Sequence, residues 1–287
     1  MDEYGGSLAV NMSLSIGLAY ILLLLAGVIT IIVVGARMRA QPIEWARHVT
    51  WLKERPWTWL IAFRIGLILL LLQLVAVWLY QIAVKIGWLS GNEPELFWVL
   101  LQGIFLHAAI FFIFAVVIWR RNMSWRNAFG FQRTGLVKQV SHGMVGYLAV
   151  LPIIFCVSIT YHLFLIFFGY PMTIQDMALF FLKQHSVWTI VAIFVLAVIV
   201  APVAEEALFR GMLLPILMRS IGVGPAVFFT SIAFALIHFH IPSIMPLFVL
   251  ALAFSIAYIY TKSIVVPIIM HALFNGLNLG LLLIVAS

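Results

Sequence analysis

The chain has 287 residues, 65% of them hydrophobic and only 9% charged, with a mean hydropathy of +1.18. So few charges over such a length exclude a soluble globular protein and leave no room for a separate soluble domain; they imply an all-α, polytopic membrane protein with the lipid bilayer as its first partner. The net charge of +7 would suit a nucleic-acid ligand. However, the basic residues gather in two short segments between apolar spans, so membrane topology accounts for them and no nucleic-acid partner is expected.

Met1-Asp2-Glu3-Tyr4-Gly5-Gly6 lacks the basic start of a removable signal peptide. A first span is expected over 14–36, followed by a basic segment with Arg37, Arg39, Arg47, Lys53 and Arg55 against Glu44 and Glu54. The second span, 57–86, starts with Trp57 and Trp59 as interfacial anchors and carries Arg64 close enough to its basic end to snorkel. An acidic turn, Ser90-Gly91-Asn92-Glu93-Pro94, leads to the third span, 96–119. His107 in its middle has no visible partner and is expected to hydrogen-bond between helices. A second basic segment follows, with Arg120, Arg121, Arg126, Arg133 and Lys138, then a fourth span over 143–168 that contains Cys156. A lone cysteine forms no internal disulfide and is expected to fill the core. The stretch 169–185, with Asp176 and Lys183, reads as weakly amphipathic and interfacial.

Helix five begins near Val187 and carries Glu205-Glu206-Ala207-Leu208-Phe209-Arg210-Gly211 inside an apolar run. A carboxylate at bilayer depth costs roughly 2.5 kcal/mol or more, so it must face a protein or water-filled interior and find partners. Pro202 removes a backbone hydrogen bond one turn before Glu206 and should loosen the helix. Helix six is expected over 224–238, helix seven over 243–260 and helix eight over 264–286, about eight in all. The organisation implied is an N-terminal transmembrane region, 1–186, and a core, 187–287, which holds the unusual polar groups.

Those groups fall at one depth. Glu205 is 14 residues from Arg219, His238 is 13 from Pro225, and Asn275 is 13 from Lys262. At about 1.5 Å per residue each lies roughly 20 Å from the same face, with His271 a turn shallower. Glu206 and Arg210, four residues apart, can pair on one helical face. Glu205 points about 100° away and is left free. His271 and Asn275 are also four apart and are expected to present two polar groups to one point, whereas His240, beside Ile241-Pro242, reads as a helix end.

Several chemistries fail on residue content. The only aspartates, Asp2 and Asp176, lie outside the spans, so a paired-aspartate site is excluded. The sole Gly-Ser start, Gly5-Gly6-Ser7-Leu8, lies in the tail, and no His-Glu-x-x-His occurs. Cys156 has only His162 nearby and no third group to orient it. Carboxylate plus histidine remains, as a general-base pair activating water or as ligands of a metal that does so.

The three segments Glu205-Glu206-Ala-Leu-Phe-Arg210-Gly211, Phe234-Ala-Leu-Ile-His238 and His271-Ala-Leu-Phe-Asn275 resemble the motifs of the CAAX-protease and bacteriocin-processing family. The resemblance covers roughly 187–284. It implies an intramembrane endopeptidase of the prenyl-endopeptidase type, with its cavity among helices five, six and eight, in a prokaryotic cell membrane, and a membrane-anchored peptide or protein as substrate. By that resemblance Glu205 and His238 activate water, His271 and Asn275 stabilise the oxyanion, and Glu206 with Arg210 holds the geometry. Metal use stays open: Glu205, His238 and His271 are a donor set that would hold Zn²⁺ with one open position. The competing classes are a non-catalytic immunity or scaffold protein of the same fold, which survives loss of Glu205 and His238, and a proton-coupled transporter, for which no internal repeat is found.

Both basic segments, Arg219 and Lys262 share one side, which the positive-inside tendency makes cytoplasmic, with both termini outside. A reporter active only in the cytoplasm should therefore be silent when fused after Ser287 and active when inserted near Arg126.

Overall fold

A computed structural model describes residues 3–40, 45–88, 93–130, 135–184 and 186–286; Asp2, Glu44, the Ser90-Gly91-Asn92 turn and Arg133 lie outside the described residues. It is helical throughout: α1 Glu3–Ala40, α2 Trp45–Lys53, α3 Trp59–Lys85, α4 Glu93–Arg120, α5 Trp125–Phe129, α6 Leu136–Phe167 and α7 Asp176–Leu182. A long composite helix follows as α8 Val187–Val195, α9 Ala201–Glu206 and α10 Leu214–Ile221, joined by π-helical turns at Leu196–Val200 and Ala207–Leu213. Then come α11 Val223–Leu236, a 3₁₀ turn Ile241–Ser243, α12 Ile244–Thr261 and α13 Val265–Ala286.

Among the described residues, seven helices are long and apolar enough to cross a membrane, and the composite helix Val187–Ile221 is the longest at 35 residues. The span expected over 224–238 is shorter: α11 has 14 residues, or about 21 Å at 1.5 Å per residue, and stops inside the layer. Gly222, with φ 85, lets the chain turn from α10 into α11. After α11, Phe239 takes a left-handed φ of 48 and points out at 94% exposure, which reverses the chain at mid-depth.

The two basic segments are not open loops. Each contains a short helix, α2 or α5, packed onto the basic ends of the bundle. Trp57 Nε1 donates to Ala128 O at 3.0 Å, and Tyr258 Oη donates to Phe129 O at 3.0 Å. Arg55 lies over the Trp51 ring at 3.8 Å and donates to Asn127 O. Arg219 donates to the carbonyls of Lys53 (2.9 Å), Arg55 (2.6 Å) and Trp57. Beneath them Leu52, Trp57, Phe114, Phe129, Met218 and Tyr258 form a core with essentially no exposure. Guanidinium groups here cap carbonyls that helix ends leave unpaired, so the positive charges close the face as well as orient the chain.

Cys156 corrects its sequence expectation. It is exposed, because α6 turns Tyr147, Leu151 and Ile154 inward and puts Cys156 on the lipid side. His107 also differs: its Nδ1 bonds to Gly103 O, four residues back in its own helix. The ring can reach that carbonyl within the helix and needs no neighbour, so it bonds locally.

Gly211 sits where a Cβ would meet the buried ring of Phe129, whereas one at Gly66 would meet nothing within 4 Å. Gly211→Ala is expected to destabilise the protein by about 1–3 kcal/mol through overpacking, and Gly66→Ala to be neutral or slightly stabilising. Thermal unfolding in detergent measures both.

Candidate active site

The composite helix α8–α10 is shaped by its two prolines. At the end of the first π turn, the N–H of Ala201 reaches back five residues to Leu196 O. In that same register the carbonyl of Ala197 would pair with residue 202, which is proline and has no N–H. The side chain of Asn275 takes its place, with Nδ2 donating to Ala197 O at 2.8 Å. The pattern recurs at the second π turn, where the N–H of Leu214 reaches Phe209 O and Pro215 follows. The loosening expected at Pro202 is thus a widened turn, and it rotates the face that carries Glu205 and Glu206 between two fixed helical ends.

Glu206 and Arg210 are completely buried and pair at 2.8 Å through Oε1 and Nη1. Arg210 Nη2 donates to Ala251 O at 3.0 Å, and its guanidinium lies 4.6 Å from the Phe234 ring centre and 4.9 Å from that of Phe254. The same Oε1 of Glu206 also meets His271 Nδ1 at 3.0 Å. A carboxylate only accepts, so Nδ1 carries the proton and Nε2 is turned the other way. There it faces Glu205 Oε2 at 4.0 Å. This contact between His271 and Glu206, 65 residues apart in sequence, had no sequence signal. His271 joins the ion pair and Asn275 also holds the π turn, while both line the same cavity.

Glu205 differs from Glu206 in that no hydrogen bond to its carboxylate is found among the described residues, whereas Glu206 Oε1 is bonded to Arg210 and His271; the Oε2 atoms of both glutamates are without a hydrogen-bond partner. His238 lies in the turn just after α11, with Nδ1 bonded to Phe234 O at 2.8 Å. The carbonyl requires the proton on Nδ1, so Nε2 is a bare acceptor. Glu205, His238, His271 and Asn275 all line one cavity of about 720 Å³, within the range of about 300–1,000 Å³ usual for ligand sites.

Other polar groups on its wall had been read as structural or passed over. His107 and Tyr147 belong to the first half of the chain, and His162 and His240 lie further up the wall. The reversal at Phe239 puts both of its histidine neighbours on the cavity, a consequence of one left-handed residue that periodicity does not reveal. Arg210 and Glu206 do not line it; they stand behind it. Among the described residues, no three His, Cys, Asp or Glu side chains converge as a metal-ion site. His238 and His271 each hold Nδ1 on an acceptor, a carbonyl and Glu206, and leave Nε2 free, which is the orientation second-shell partners give a metal-ligating histidine.

Fold and site together define a polytopic membrane protein with a carboxylate–histidine cavity inside its helical bundle. Residues 186–277 match the family model described as "Rce1-like: type II CAAX prenyl endopeptidase Rce1-like". The three motifs that carried the family resemblance all lie inside the matched segment. Comparison with curated proteins finds no match, and comparison with solved structures finds none either.

If Asn275 replaces a backbone donor lost at Pro202, the two residues must be energetically coupled. Asn275→Ala should cost about 1–3 kcal/mol by orphaning Ala197 O. It should cost measurably less in a Pro202→Ala background, where residue 202 regains its N–H. A double-mutant cycle on detergent unfolding reads the difference, and strict additivity would rule the coupling out.

Proposed function

We propose that the chain is an intramembrane endopeptidase that hydrolyses a peptide bond of a membrane-associated substrate, with 187–287 as the catalytic core and 1–186 as its transmembrane frame. The observation that carries this is the state of Glu205. Its side chain is 22% exposed on the wall of the cavity, 4.0 Å from a histidine nitrogen, while Glu206 beside it is fully buried in an ion pair. A carboxylate at membrane depth that opens on a cavity and is not consumed by an ion pair is a candidate proton acceptor.

Water held between the Glu205 carboxylate and His238 Nε2 offers one hydrogen to each acceptor, which leaves an oxygen lone pair for the scissile carbonyl carbon. Glu205 takes the proton as the C–O bond forms, and the carbonyl π electrons move to oxygen. The second N–H of Asn275 Nδ2, the first being held by Ala197 O, supplies a donor for that oxyanion. His271 becomes a further donor when Nε2 is also protonated, and Glu206 at Nδ1 offsets the added charge. Collapse of the tetrahedral adduct breaks the C–N bond, and the proton on Glu205 passes to the leaving amine. The products are a carboxylate and an amine, and no step requires a metal. The role of Glu206 and Arg210 is positioning: they set the tautomer and angle of His271.

Glu205→Gln retains shape and hydrogen bonding while removing basicity, so cleavage of a membrane-anchored peptide should fall by at least about 10²–10⁴-fold at unchanged folded yield. Glu206→Gln leaves Arg210 buried without its counter-charge, so the expected loss is in yield and stability, on the order of 3–5 kcal/mol. Full cleavage by Glu205→Gln would end the catalytic assignment. Equal, yield-limited losses in both variants would indicate a non-catalytic scaffold.

A further inference from the structure

We propose that the crevice between α3 and α4 is a binding site for one anionic phospholipid, with its phosphate held by Arg64, Arg120 and Arg121 and an acyl chain laid along the apolar length behind them. The crevice is separate from the cavity of Glu205 and His238, and the proposal does not rest on the proteolytic reading.

Two helical stripes build the crevice. From α3 it takes Ile61, Arg64, Ile65, Ile68 and Leu72, and from α4 a repeat of three and four residues that runs from Phe105 to Arg121. Such spacings put side chains on one face of a helix, and the two faces bound about 780 Å³. The floor is firm, because Ile61 and Ile65 belong to the same buried core as Ile110, Phe114 and Ala204. Along the opening Ile68, Phe105 and Phe112 are exposed, and the small side chain of Ala108 leaves the middle of the trough unfilled. From Arg120 to Phe105 is 15 residues, or roughly 22 Å along the helix. One leaflet is half of a hydrocarbon core of about 30 Å, so the trough is deep enough for an acyl chain whose headgroup sits at the arginines.

The charges select the occupant. Arg55 and Arg219, on the same end of the bundle, use their guanidinium groups on backbone carbonyls. Arg64, Arg120 and Arg121 are exposed and, among the described residues, make no ion pair or side-chain hydrogen bond. No carboxylate lines the crevice with them. A guanidinium offers five N–H donors and no acceptor, in a fork that fits a phosphate. Arg64 stands inside α3, which starts at Trp59, and its long stem lets the charged head rise to headgroup level. Basic pockets between transmembrane helices are where anionic headgroups bind. A second copy of this chain is the poorer occupant. Two copies inserted in the same sense and joined by a two-fold axis bring identical surfaces together, which sets these three arginines against the same three. A lipid seated here would brace the side of α3 and α4 that packs with Ala204, the residue before Glu205.

The test is native mass spectrometry of the full-length protein in detergent, equilibrated with equal amounts of phosphatidylglycerol and phosphatidylcholine, with thermal unfolding measured beside it. One phosphatidylglycerol should be retained in roughly 10–100-fold preference and should raise the unfolding temperature. Arg64→Gln combined with Arg120→Gln should abolish both the preference and the rise, while unfolding without lipid stays as in the parent. Arg37→Gln combined with Arg39→Gln removes the same charge from the basic end of α1 and should keep both. Ala108→Phe fills the trough without touching a charge and should also lose the lipid. Equal retention of the two lipids, equal loss in the two arginine pairs, or full retention by Ala108→Phe would overturn the proposal. Displacement of the lipid by soluble glycerol phosphate would overturn it too, leaving an anion site alone. A dimer that Ala108→Phe dissolves, with no dependence on lipid, would overturn it in favour of a second copy.

Discussion

A single carboxylate oxygen in the middle of the membrane organises the site. Glu206 Oε1 accepts from Arg210 at 2.8 Å and meets His271 Nδ1 at 3.0 Å, with all three side chains almost completely removed from solvent. Taking a guanidinium and a carboxylate out of water is expensive and is repaid only when geometry is good and the remaining donors are used. Arg210 meets that condition through Ala251 O and the faces of Phe234 and Phe254. The pair therefore ties the second π turn to α11, α12 and α13. Every one of those elements carries or borders a residue of the cavity.

From this the division of labour between adjacent glutamates follows. Successive residues on a helix point about 100° apart, so when Glu206 turns into the packed interior, Glu205 must turn out of it. What lies there is the cavity, and among the described residues no donor completes its Oε2. Helical geometry thus gives neighbouring residues of the same type different surroundings, one in an ion pair and one on the cavity wall. His271 connects them, with one ring nitrogen on each carboxylate at 3.0 and 4.0 Å.

The two prolines convert a straight span into a shaped one. Each follows a turn in which an N–H has already reached five residues back, and each leaves a carbonyl that the helix cannot satisfy. At Ala197 the missing donor comes from α13, so the distortion of one helix becomes the docking point of another. At the basic end the order is reversed: Arg55, Arg219, Trp57 and Tyr258 supply donors to the carbonyls of short helices and loops. That end is closed by packing. Both ends follow the same rule, that no backbone polar group is left unpaired in an apolar layer.

Much of this was legible in the sequence because a membrane punishes polar residues so strongly. Charge depletion alone dictated an all-helical polytopic fold. Three counts of residues from basic turns placed Glu205, His238 and Asn275 in one layer, since rise per residue is constant. The pairing of Glu206 with Arg210 is local, four residues on one helix, and so could be read directly. The remainder depended on contacts between distant segments. That His271 would grip Glu206, and that Asn275 would stand in for the amide missing at Pro202, required the register of α13 against a π turn, which no periodicity encodes. His107, Tyr147 and the rim at Thr173 joined the cavity only when the helices were packed. The lipid-facing position of Cys156 likewise depended on which face of α6 the bundle covered. Composition and spacing determine which groups must find partners within the bilayer. Which partners they find is decided by tertiary packing, because only packing brings donors from 65 or 78 residues away to the same point.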